Sequence, residues 1–160
     1  MSDGRVAMRK GSLASTADRQ AILGRLGNMR ADSPRLWGKM NAHQAVCHLN
    51  DSFKGVMGDI ELSGKPMLIG KLVKWVALYS PLMWTRGTPT MPEVDQFKLG
   101  TKPVEFRADV AELERLIERF TTSQRDFAWK PHPFFGDMTD EDWMRWGWLH
   151  MDHHFRQFGN

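Results

Sequence analysis

The stretch Leu149-His150-Met151-Asp152-His153-His154-Phe155-Arg156-Gln157 decides how the chain is read, because His150 and His154 stand four residues apart. On an α-helix each residue turns about 100° and rises about 1.5 Å, so imidazoles at this spacing share a face and can chelate one metal ion. Just upstream, Thr139-Asp140-Glu141-Asp142 supplies a helix start. A Thr N-cap followed three residues later by an acid forms a capping box, here with Asp in place of the usual Glu or Gln. Acids in the first turn also suit the helix dipole. A helix is therefore expected from about Asp140, carrying Trp143, Trp146, Leu149, His150, His153, His154 and Gln157.

Three more long helices follow from apolar residues recurring at helical spacing. The first runs from Ser15 or Thr16 to about Arg30, with Ile22, Leu26 and Met29 apolar, and Asp32-Ser33-Pro34 ends it. The second carries Met40, Ala45, Val46, Leu49, Phe53 and Val56 up to Gly58, with His48 in its middle. The third extends from Pro103 to about Thr122 through Val104, Phe106, Val110, Leu113, Leu116, Ile117 and Phe120. Between Gly58 and Thr101 the glycines and prolines leave room only for a short helix, about Leu68 to Tyr79. So long a connection in a compact domain is usually functional or covers something. With no repeat and no strand alternation, four long helices predict an all-α bundle. The 160 residues suit a single domain, expected over 15–160 after a flexible segment at 1–14.

Composition narrows the partners. The formal charge is +3, and Lys and Arg alternate with Asp and Glu instead of forming a block. That excludes the concentrated basic footprint of a nucleic-acid-binding protein. The most apolar stretch, Met67 to Trp84, contains Lys71 and Lys74 and is broken by Pro81, too interrupted to span a bilayer. Neither nucleic acid nor membrane is expected as a partner. Cys47 is the single cysteine, which rules out an intrachain disulfide and suits a reducing compartment. Met1-Ser2-Asp3-Gly4-Arg5-Val6 lacks the apolar run of a signal peptide, so cytoplasmic residence is expected.

A metal site needs at least a third protein ligand, and His43-Gln44-Ala45-Val46-Cys47-His48 offers candidates. Three blocks, Trp37 to Leu49, His132-Pro133-Phe134-Phe135-Gly136 and His150 to Gly159, together resemble the DinB-like metal-binding superfamily. The resemblance is closest to a bacterial branch described as domain of unknown function 1569, and it covers nearly the whole chain. It implies a four-helix bundle with one long crossover and a divalent metal, zinc or nickel, held by three histidines. Carried over residue by residue, these are His48, His150 and His154. Characterised relatives include thiol S-transferases and a mycothiol-dependent isomerase. A metal-dependent enzyme acting on a small molecule, a hydrolase or a thiol S-transferase, is thus implied, with a low-molecular-weight thiol as one candidate partner and a homodimer as the assembly.

The other candidates divide by direction around the helix. His43 lies five residues from His48, about 140° away, and suits a structural or outer role. Cys47 points about 100° from His48 and reads as a small buried hydrophobe. His153 could be a fourth ligand, a base or a hydrogen-bonded ring. Asp51 and His153 are the first places to seek a general base. Gln44, Asp51 and Asp152 are either acceptors for the far N–H of a ligand imidazole or simply solvated polar groups. His132, between two prolines, suits a loop residue fixing the entry to the last helix. Trp143 and Trp146 share a core-facing stripe, and other indoles could line a pocket. Three neutral imidazoles leave a divalent ion with open positions, as a reactive site requires. The competing expectations are a metal- or ligand-binding module without turnover, of stress-response or dimerising type, and a bundle whose histidines merely pack.

Overall fold

Helices begin in this protein where a side chain can accept from the first unpaired backbone N–H groups. The computed structural model describes residues 10–160. Among the described residues are five α-helices and no strand: α1 (Thr16–Asn28), α2 (Ala42–Met57), α3 (Gly70–Tyr79), α4 (Phe106–Thr121) and α5 (Asp140–Arg156). Ser15 Oγ caps α1 by accepting from Asp18 N at 3.2 Å. Asn41 and Gln44 form a reciprocal capping box on α2, at 2.8 and 2.9 Å. The Thr139–Asp142 box expected from the sequence opens α5, with both bonds at 3.1 Å. The Glu105 carboxylate accepts from the N–H groups of Arg107 and Ala108, so α4 starts at Phe106 and not at Pro103. Gly58, at φ 88°, turns the chain out of α2 in the left-handed region that glycine tolerates best.

α2 lies innermost, packed chiefly on α4 and also on α5, while α1 packs on α5. Its Phe53 ring meets Phe120 edge-on at 4.9 Å and Trp146 at 5.6 Å. Nearby, Trp129 stacks on Trp143 at 5.2 Å. Of the segment 1–14 expected to be flexible, residues 1–9 lie outside the described residues. Leu13, by contrast, is fully buried, and its N–H donates to the Met144 carbonyl at 3.0 Å.

The connection after α2 holds α3, which starts at Gly70 and not Leu68, and a 3-10 turn at Pro92–Val94 where only loop was expected. α3 is held at its polar edge. Lys74 Nζ donates to Asp142 Oδ2 at 2.8 Å and the Tyr79 hydroxyl donates to the other oxygen of Asp142. Lys10 Nζ and Trp84 Nε1 both reach the Ala77 carbonyl, at 3.0 and 2.9 Å. Leu78 is buried, yet Leu72, Trp75 and Tyr79 are exposed. None of the described helices is long and apolar enough to cross a membrane.

Two substitutions separate the inner face from the outer one. Phe53→Ala should destabilise the protein by about 3–5 kcal/mol in urea unfolding, whereas Leu72→Ala should stay within about 0.5 kcal/mol of the parent.

Candidate metal centre

α2 and α5 bring His48, His150 and His154 together, one ligand atom from each lying within 4.8 Å of the others. Ring centroids are 5.2 Å apart for His48 and His150, 4.6 Å for His48 and His154, and 5.0 Å for His150 and His154. His48 and His154 are buried, while His150 is partly exposed.

Hydrogen bonds fix which nitrogen faces inward. A carbonyl can only accept, so His48 Nδ1–H donates to Val94 O at 2.7 Å and leaves Nε2 as a lone pair. Gln157 Oε1 does the same for His154 Nδ1 at 2.7 Å. His48 Nε2 stands 3.2 Å from His150 Nε2. Zn–N bonds of about 2.0–2.1 Å at a tetrahedral angle separate two ligand nitrogens by about 3.3 Å, so this spacing fits a shared cation. His150 Nδ1 is buried and has no hydrogen-bond partner among the described residues.

Burial lowers the pKa of all three rings, for His150 and His154 well below the ordinary histidine value. Neighbouring imidazoles push in the same direction for those two. At His48, Val94 and Asp51 oppose the shift, but desolvation is the largest effect. Neutral rings are the form in which histidine binds a metal. A buried three-histidine group that could hold a divalent ion is therefore present.

A family model described as "Protein of unknown function (DUF1569)" matches residues 8–160. The chain belongs to this family. Neither curated proteins nor solved structures give a match.

The other residues singled out in the sequence lie as follows. Asp51 is buried with both oxygens occupied: Oδ2 accepts from Gln96 Nε2 and Thr101 N, each at 2.8 Å, and Oδ1 accepts from Thr101 Oγ1 at 2.7 Å. It ties down the chain segment that presents the Val94 carbonyl. His153 is buried beside His154, with ring centroids 5.2 Å apart, and its Nδ1 has no partner among the described residues. Trp37 meets His153 edge-on at 5.0 Å, and Trp84 leans over both His153 and His150 at 5.9 and 5.8 Å. Burial, then the nearby Arg156, pushes the His153 pKa down to about 4.

Gln44, Asp51 and Asp152 accept from groups other than the three clustered imidazoles. Gln44 is spent on the α2 cap, and Asp152 is clamped by Arg25 at 2.7 Å and Arg156 at 2.9 Å. The orienting acceptors are Val94 and Gln157. A backbone carbonyl on a distant turn leaves no mark in the sequence, whereas Gln157, three residues after His154, was open to detection as an i,i+3 partner.

His43 lies on the side of α2 that meets α4. Its Nε2 is 2.6 Å from Asp109 Oδ2, to which the Cys47 thiol also donates at 3.5 Å. These three residues likewise bring ligand atoms within 4.8 Å of one another. Here, however, Asp109 Oδ2 already engages both His43 Nε2 and the Cys47 thiol, and burial, followed by Asp109, pushes the thiol up to about 12. The group staples α2 to α4. His132 caps its own loop: Nδ1 accepts from the N–H groups of Phe134 and Phe135, both at 3.2 Å, so Nε2 carries the proton. Burial lowers its pKa to about 3.

These buried rings set an acid limit on stability. His132 and His153 have folded pKa values below the ordinary 6.5, as do the three clustered histidines. Their contribution is fully present above about pH 6.5 and is lost as pH falls toward the folded values, because the unfolded chain binds the protons first. In metal-free protein the urea midpoint should fall between about pH 6.5 and pH 5, each ring contributing up to about 1.4 kcal/mol per pH unit. A flat profile there would contradict the neutral buried cluster.

Proposed function

We propose that this protein is a metal-dependent enzyme of the DinB-like superfamily acting on a small molecule, with His48, His150 and His154 holding a divalent ion. In this reading α1, α2, α4 and α5 are the four long members of a bundle, and the 58–101 segment with α3 is its crossover. The convergence of three imidazoles, two of them locked with Nε2 unprotonated, carries the proposal. In metal-free protein His48 Nε2 accepts from His150 Nε2–H at 3.2 Å; a divalent cation would instead engage a ring nitrogen of all three histidines.

Zinc and nickel both suit an all-imidazole set. Bound there, the ion supplies Lewis acidity, and with no carboxylate among the three ligands its double charge favours an anionic or easily deprotonated substrate group. Water activation would make the protein a hydrolase; binding a low-molecular-weight thiol would make it a thiol S-transferase. The chain's own residues do the rest. Trp84 and Trp37 shield the rings from bulk water. His153 has an unpartnered ring nitrogen beside the cluster and is the residue assigned to proton transfer. Asp51, with no unoccupied oxygen, is a positioning residue: through Gln96 and Thr101 it holds the turn whose carbonyl orients His48.

Purified protein should contain about one tightly held divalent ion per chain by elemental analysis, and His150→Ala should lose it. Gln157→Leu should keep the ligands but weaken affinity about 10–100-fold, and His153→Gln should leave metal content unchanged. Full occupancy in His150→Ala would reject the site.

A further inference from the structure

α3 is an amphipathic helix turned inside out. Leu72, Trp75, Val76 and Tyr79 fall at i, i+3, i+4 and i+7, the spacing that normally faces a core. Here they are 63, 58, 36 and 38% exposed, and Leu68 before the helix and Leu82 after it are 108 and 62% exposed. A run of large apolar side chains facing solvent marks a surface that is covered in use.

Charge identifies what covers it. Residues 62–92 contain no Asp or Glu, but carry Lys65, Lys71, Lys74 and Arg86. Lys74 is spent on Asp142 and Arg86 lies over the Trp37 ring at 4.9 Å, whereas Lys65 and Lys71, just before and at the start of α3, are exposed. Packing two copies face to face across this stripe would set these cations against their own kind. An anionic surface would instead gain from every one of them. Trp75 also carries a polar tip on an apolar body, the character that favours the headgroup boundary of a bilayer.

We propose that the outward face of α3, with its flanking cations, seats in the plane of an anionic lipid surface. The sequence set membranes aside because no segment can span one, but an in-plane helix needs no span. Only the apolar stripe enters the lipid boundary; the edge bearing Leu78 and Lys74 stays on the protein. The inference does not depend on the metal site.

Sedimentation with vesicles tests it. The full chain should bind vesicles of equal parts phosphatidylcholine and phosphatidylglycerol at low salt, and bind phosphatidylcholine alone far less. Leu72→Ser with Trp75→Ser, at exposed positions and with an unchanged helical CD spectrum, should lose more than about tenfold in partitioning. Lys65→Gln and Lys71→Gln should each lose about fivefold. Equal binding to neutral and anionic vesicles, no binding to either, or unchanged binding by the serine variant would overturn the proposal. So would a concentration-dependent dimer that the same serine substitutions dissolve, since a second copy would then be the cover.

Discussion

An imidazole can be buried at modest cost only if its N–H finds an acceptor, and this requirement joins the fold of the protein to its site. His48 sits in the middle of the innermost helix, where burial keeps the ring neutral and its Nδ1–H donates to the Val94 carbonyl at 2.7 Å. That carbonyl belongs to the long connection, not to a helix. It is in place because Asp51, one turn beyond His48 on the same helix, holds Gln96 and Thr101. α2 thus supplies His48 and also the anchor for the segment that orients its ring.

The same economy recurs at the start of α5. Asp142 completes the capping box with Thr139 and also accepts from Lys74 and from the Tyr79 hydroxyl on α3. One carboxylate therefore begins the helix bearing His150 and His154 and docks the connection across it. From that docked position the chain runs on to Trp84, which leans over His150 and His153. The long connection is a built cover, and its apolar outer face is what remains after the inner one has been spent on the protein.

Much of this was legible in the residues. The α5 start was readable because capping is local chemistry, and the long helices were readable because their apolar stripes repeat at one period. The pairing of His150 with His154 followed from helix geometry alone. The meeting of that pair with His48 did not: it rested on the resemblance of separated blocks to a known family, and contact between α2 and α5 is not a local property. Val94 was invisible for the same reason, and Trp84 was only one of several indoles that could line a pocket, since each acts through a path across the Gly58 to Thr101 segment that glycine and proline punctuation bounds but does not trace. Asp51 was singled out as a candidate base or imidazole acceptor near His48; it is buried with both oxygens taken, by partners that lie far along the chain and could not be read from its spacing. α3 was expected at nearly its observed place; which way its stripe points depends on what packs beneath it.

Diffraction from crystals of the intact protein, recorded on both sides of the zinc and nickel absorption edges, tests the central claim most directly. An anomalous peak about 2.0–2.1 Å from the Nε2 atoms of His48, His150 and His154 is the predicted result. A peak at His43, Cys47 and Asp109 instead, or three rings hydrogen-bonded among themselves with no peak between them, would contradict it.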